Sequence, residues 1–464
     1  MEQSKKEGGL NISVRSFITA IAVIFALMVV TYALTLFVPG GAFERTAEGE
    51  LIEGSFRSVE GGIPLWKWLL SPFLVLGASG SGTLIAVIVF LLVIGGVFNA
   101  LGEHGLMQYM LGKITNRYAA SKYRLMAVMM FFFMAMGALI GSFEECVPLV
   151  PIVVALSLSL GWDRVTGMGM SLLAVGCGFA SGVCNPFTVG VAQELAGLPM
   201  FSGAGLRFVG FVLIYALLLL FVRGHAKKVE RPIPSDVVTG FVRDEKMDKG
   251  LAWFAGIVGF GIALVLSSAF LTFLQDYTMI IVAVMFLVAG IVAPLVSGMQ
   301  GKALLKSFLG GVAGILPAVI MILMASSIKY TLETANILDT ILNGAVGLAE
   351  TMPRWAVILF IYLIVLVMNF FIGSGSAKAF MLIPLIVPLA QQFGIPAQLC
   401  IMAFAFGDGF SNVLYPTNAA LLIALGLADV SYGKWFRWSV KFQLCNLVLT
   451  SALLLLGLAV GYGL

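Results

Sequence analysis

Apolar runs of about 17–25 residues, the length that crosses a bilayer as helix, lie near 16–38, 82–101, 205–222, 251–273, 278–298, 307–328 and 438–463. Two further regions are interrupted. In 124–160, two apolar stretches flank Gly141-Ser142-Phe143-Glu144-Glu145; in 354–394, two flank Gly373-Ser374-Gly375-Ser376-Ala377-Lys378. Each half is about long enough to reach mid-membrane, and each centre is too polar to face lipid. The pattern predicts two re-entrant hairpins with tips covered by protein or water. A long helix follows each hairpin. The first, 165–198, breaks at Cys184-Asn185-Pro186-Phe187-Thr188, and the second, 396–428, breaks at Tyr415-Pro416-Thr417-Asn418. Proline removes a donor and clashes with the preceding turn, so the backbone opens there.

Composition narrows the class. Hydrophobic residues make up 60% of the 464 and charged residues 11%, against about 25% charged in soluble domains. This excludes a soluble enzyme, a disordered chain, a nucleic-acid binder and a disulfide scaffold, and leaves a polytopic helical membrane protein. The five cysteines lie in apolar segments with no CxxC pair and read as small hydrophobes. His104 and His225 read as loop residues, so no His/Cys cluster suits a metal or haem. The run after Lys5, Lys6 and Arg15 is too long for a signal-peptide core and reads as the first spanning helix.

The interrupted regions also read as an internal repeat. Gly141-Ser142 matches Gly373-Ser374, Gly178-Phe179 matches Gly409-Phe410, Asn185-Pro186 matches Tyr415-Pro416, and Gly197-Leu198 matches Gly426-Leu427, at offsets of 229–232. With the N-terminus in the cytoplasm, 20 of the 27 Lys and Arg fall in cytoplasmic segments and six outside, Arg207 among the six, while Lys378 sits at a hairpin tip. The positive-inside bias thus predicts nine crossings, an external C-terminus and a second repeat inverted relative to the first. The expected organisation is a first repeat over 1–222, a cytoplasmic linker and linking helix over 223–273, and a second repeat over 274–464. Trp66, Trp68, Trp435 and Trp438 read as interfacial anchors.

Inverted repeats, paired hairpins and helices broken at mid-membrane are the parts of a secondary transporter: half-helix N-termini suit a substrate carboxylate, and unwound carbonyls suit a cation. Four ionisable residues fall inside the membrane, Glu144, Glu145, Lys378 and Asp408. Such residues serve a pathway or pair with one another. Lys378 therefore reads either as half of a carboxylate pair locking the hairpins together or as a site residue. Ser142, Glu144, Glu145, Asn185, Thr188, Ser374, Ser376, Thr417 and Asn418 are the candidate substrate ligands. Ser142, Asn185, Ser376, Asn418 and Asp408 are the candidate sodium ligands. For Asp408, cation coordination and plain hydrogen bonding both remain open.

Several segments carry a resemblance: Gly141-Ser-Phe-Glu-Glu145, Gly178-Phe-Ala-Ser-Gly-Val-Cys-Asn-Pro-Phe187, Phe406-Gly-Asp-Gly-Phe-Ser-Asn412 with Pro416-Thr417, Tyr432-Gly-Lys-Trp435 and Val38-Pro-Gly-Gly-Ala-Phe43. Together they resemble the bacterial YfcC-type carriers, allied to the anaerobic C4-dicarboxylate carriers and to arginine/ornithine antiporter-like proteins of the ion transporter superfamily. The resemblance implies a multi-pass protein of the bacterial inner membrane. It also implies a homodimer and an elevator motion, with substrate and sodium held at hairpin tips and breaks.

If all four embedded groups are ionised, the site is net negative. An amino acid, and a basic one slightly ahead, then fits with less strain than a C4-dicarboxylate, which would need a sodium ion as companion. A channel is the alternative of another class, but polarity gathers at two mirrored points rather than in a continuous stripe. An intramembrane enzyme lacks a histidine base inside the membrane. No cofactor other than sodium is expected.

Overall fold

In the bilayer every backbone N–H and C=O must find a partner within its own segment, so long apolar runs fold as helices. The computed structural model describes residues 14–46, 52, 54–78, 81–141, 143–199, 201–232, 243–267, 277–349 and 351–463. The uninterrupted runs form helices Val14–Phe37, Ser81–His104, Ala204–Val229, Glu245–Ser267, Thr278–Val296, Gly301–Thr334 and Tyr432–Ala459. Among the described residues, eight helical stretches are long and apolar enough to cross a membrane. Ala204–Val229 runs past the expected end at 222 and takes His225 into a helix rather than a loop. There His225 Nε2 lies 3.3 Å from Asp163, the residue that caps the next helix by accepting from Thr166 N at 2.9 Å. The fold is not purely helical: Gly41–Ala42 and Arg57–Ser58 form a short antiparallel pair.

The first interrupted region forms helix Lys122–Ile140, a tight turn over Glu144–Leu149 and helix Val150–Ser159. The second forms helices Arg354–Phe371 and Gly375–Gln392. The first long helix runs through Arg164–Met168, a wide turn over Gly169–Leu173 and Ala174–Ser181, then stops at Gly182. Gly182 has φ +51°, a left-handed conformation that ends helices and favours glycine. Helical turns resume over Pro186–Gly190 and Val191–Leu195. The second long helix comprises Ala397–Asn412 and Ala419–Ala428.

These two broken helices form the centre. In the first, 94% of the most apolar window is buried, whereas Gly301–Thr334 has 29% and faces outward. Every residue of Ala397–Asn412 is buried. Small residues allow the close packing. Gly178 lies against the Met134 carbonyl and Gly409 against the Ala180 backbone, while a Cβ on Gly407 would fall 2.6 Å from Val365 Cβ. Each broken helix thereby packs on the first helix of its own hairpin, and the two pack on each other.

Two of the four tryptophans are packed inside the protein rather than on its surface. Trp68 and Trp435 are buried and donate Nε1–H to the carbonyls of Met28 (3.2 Å) and Val413 (2.7 Å). A buried indole N–H needs an acceptor, and a backbone carbonyl supplies it in both cases. Trp66 is exposed.

Candidate functional site

Each break leaves backbone groups without helical partners, and nearby side chains fill them. Asn185 caps the resumed first helix by accepting from Phe187 N at 3.0 Å, and Asn418 caps the second by accepting from Leu421 N at 3.1 Å. Asparagine is a favoured cap because its side-chain oxygen replaces the missing acceptor. On the other side of the first break, the freed Val183 carbonyl accepts from Arg207 Nε (3.4 Å) and Nη2 (3.2 Å). Arg207, expected in an external segment, is fully buried. Its value as a cation at a helix C-terminus has no local sequence signature. On the second break, Trp435 serves Val413, and Tyr432 Oη donates to the Leu414 carbonyl at 3.0 Å.

Around the second break the polar side chains close into one network. Lys378 Nζ lies 2.6 Å from Asp408 Oδ1, with both side chains fully buried. It also donates to the Ile372 carbonyl at 3.0 Å and to Asn369 Oδ1. The two protons of Asn369 Nδ2 are shared among the Asp408 carbonyl (2.9 Å), Ser411 Oγ (2.6 Å) and Asn412 Oδ1 (2.9 Å), and Asn418 Nδ2 reaches the same Asn412 oxygen at 3.1 Å. Lys378 therefore ties the second hairpin to its own broken helix, through Asp408, rather than to the first hairpin. The contact is an ion pair off the hydrogen-bonding direction, since neither Asp408 oxygen has an aligned donor among the described residues. Asn369, which takes part in four of these contacts, was absent from the expected set; one polar residue in an apolar helix at 354–371 was its only signal.

Each hairpin tip reaches the other half of the molecule. At the second tip, a Cβ on Gly375 would meet Thr188 Cγ2 at 2.7 Å and Asp408 Oδ2 at 2.8 Å. The tip thus packs between the first break and the second broken helix. Thr188 Oγ1 is buried there with no hydrogen-bond partner among the described residues. At the first tip, Phe143 and Val413 of the second break both border Gly176, and Gly141 abuts Asn185. The Glu144–Leu149 turn packs on Ala419–Ala428. Glu144 lies within electrostatic range of Glu145 and of Asp408.

The structure thus draws Thr188, Gly375, Lys378, Asp408, Asn412 and Asn418 into one contiguous polar zone. Ser374 caps the second tip's helix and is exposed beside Ser376. Thr417 is half-buried between the network and the surface. Ser142 lies outside the described residues. A cavity of about 390 Å³ lies on the flank of the second tip, bordered by Ile372, Ala377, Arg45, Lys329, Glu333 and Asp339. Arg45 Nη2 donates to Asp339 at 2.9 Å and pins the strand segment to the cavity wall.

The family model described as DcuC, the C4-dicarboxylate anaerobic carrier, matches residues 17–459. The chain is 29% identical over 410 residues to a protein of Escherichia coli (strain K12) described as "Putative basic amino acid antiporter YfcC", covering 83% of this chain and 80% of that one. It is 25% identical over 388 residues to an uncharacterized protein of Haemophilus influenzae, covering 81% and 76%. A crystal structure of the Alcanivorax borkumensis YdaH transporter aligns with a TM-score of 0.46 at 18% identity over 97% of this chain and 99% of that one. The family match spans the hairpins, the broken helices and the surrounding helices alike, so the chain belongs to the C4-dicarboxylate anaerobic carrier family and is a multi-pass membrane transporter.

Proposed function

We propose that this transporter is a secondary carrier of a small carboxylate-bearing metabolite, most favourably a basic amino acid, in the bacterial inner membrane. The observation that carries this reading is the division of charge. Lys378 and Asp408 cancel each other in a buried pair, whereas the first tip sets two carboxyls, Glu144 and Glu145, within electrostatic range of each other. A buried site that keeps negative charge is best completed by a cation, and a substrate ammonium or guanidinium supplies it. The similarity to a relative described as a basic amino acid antiporter points the same way. Asn185, Thr188, Ser374, Ser376, Thr417 and Asn418 would hold the substrate's polar groups around the tips, with Ser142.

A second reading, a sodium-coupled C4-dicarboxylate carrier, is favoured by the family description. It would use Ser142, Asn185, Ser376, Asn418 and Asp408 as sodium ligands. The packing of Gly178 on Met134 and of Gly407 on Val365 supports two related halves, with Gly178 answering in this contact to Gly407 rather than to Gly409. We further infer a homodimer with an elevator motion, a cytoplasmic N-terminus and an external C-terminus.

Uptake into proteoliposomes preloaded with unlabelled substrate separates the two readings. L-arginine, L-lysine and L-ornithine should show saturable counterflow and succinate should not. Glu144→Gln and Glu145→Gln should each lower amino-acid counterflow by about tenfold or more, the size of one lost charge-assisted contact. Counterflow of succinate alone rejects the amino-acid reading, and unsaturable passive flux rejects a carrier.

A further inference from the structure

The surroundings of Lys378 are those of a bound cation. An ammonium donates and does not accept; here it donates to Asn369 Oδ1 and to the Ile372 carbonyl at 3.0 Å, and Asp408 Oδ1 faces it as an ion-pair partner at 2.6 Å. Ile372 is the residue at which helix Arg354–Phe371 unwinds, and its carbonyl belongs to the negative end of that helix. Carboxylate, amide oxygen and unwound carbonyl at a half-helix C-terminus form the donor set with which secondary transporters hold a coupling sodium ion. Here a side chain of the protein occupies its centre. Lys378 is reached from the following helix, one turn past the tip, and is fully buried, so it does not leave by rotating into solvent.

We propose that the Lys378 ammonium is a built-in replacement for a coupling cation at the second hairpin, and that this carrier turns over without sodium. The inference rests on the carrier reading above and deepens it. A mobile ion gives a carrier an ion gradient to draw on, whereas a tethered one gives it only the geometry. The second tip of this chain is therefore held closed on its broken helix in every ionic medium, and the driving force comes from the substrates exchanged or from protons. Glu144 lies within electrostatic range of Asp408, and the Ser411, Asn412 and Asn418 side chains joined to the pair through Asn369 are neutral.

The test uses the full chain. Wild-type counterflow of L-arginine should change by less than about twofold when sodium is replaced by choline, below the range of a coupled ligand. A loss of about tenfold or more overturns the proposal. Lys378→Ala opens the position. Its thermal unfolding temperature in detergent should rise with sodium and with ethylammonium, and not with choline, to a degree that the wild type does not show. A folded Lys378→Ala with the wild-type response to sodium overturns the proposal. If the variant accumulates only in sodium-containing medium, that yield is itself the expected result. If it accumulates in neither medium, the wild-type choline experiment decides. Absence of counterflow for every substrate in both salts rejects the carrier reading alone, and the sodium response of Lys378→Ala then decides the present one.

Discussion

The two breaks solve one backbone problem with different chemistry. At the first, the freed Val183 carbonyl is held by the guanidinium of Arg207; at the second, Val413 and Leu414 are held by the neutral Trp435 indole and Tyr432 hydroxyl. The charge is distributed the other way inside the site. Around the second break Lys378 and Asp408 cancel within a closed network, while the first tip sets Glu144 and Glu145 side by side. One break thus has its opposite charges spent on each other, while the tip beside the other gathers two carboxyls of the same sign.

The largest expected effect tests the spent pair. Asp408→Asn leaves Lys378 buried without a counterion and should cost about 3–5 kcal/mol, read as a drop in the unfolding midpoint of purified protein. Wild-type stability in that variant would remove the distinction between the halves. Next come the caps. Arg207→Gln should cost about 1.5–3 kcal/mol, as for a hydrogen bond to a charged group, and Trp435→Phe about 0.5–1.5 kcal/mol, as for a neutral one. The order matters more than either value, and a larger loss for Trp435→Phe would break the comparison.

The smallest effect lies outside the membrane-spanning segments, at Asp163 ahead of the first broken helix. Burial would raise its carboxyl, but the hydrogen bonds from His225 and Thr166 outweigh burial and hold it at about 2. A carboxylate depressed on folding stabilises above its ordinary value and loses that contribution as pH falls through the folded one. Acid should therefore weaken the wild type between about pH 4 and pH 2 more than Asp163→Asn, which keeps an acceptor for the cap and has no charge to lose. Parallel melting curves across that window check it.

The helices were legible because each apolar run must satisfy its own backbone, and the breaks because proline cannot. Asn185 and Asn418 were legible as residues at the breaks, and the structure adds that each is the cap of the resumed helix. Arg207, Asn369 and Trp435 were not legible in their roles. Each acts on a group far along the chain, and a lone polar residue or tryptophan in an apolar helix looks alike at a lipid edge and in a core. Lys378 was seen as an embedded charge, but its partner was fixed only by the fold, which turns it toward Asp408, thirty residues on.

The Lys378–Asp408 couple also bears on electricity. Moving one elementary charge through the membrane potential is worth about 2.3 kcal/mol per 100 mV, but a contact pair of opposite sign displaced as a unit does almost no work against that field. A current recorded from this protein would accordingly contain almost nothing from this couple.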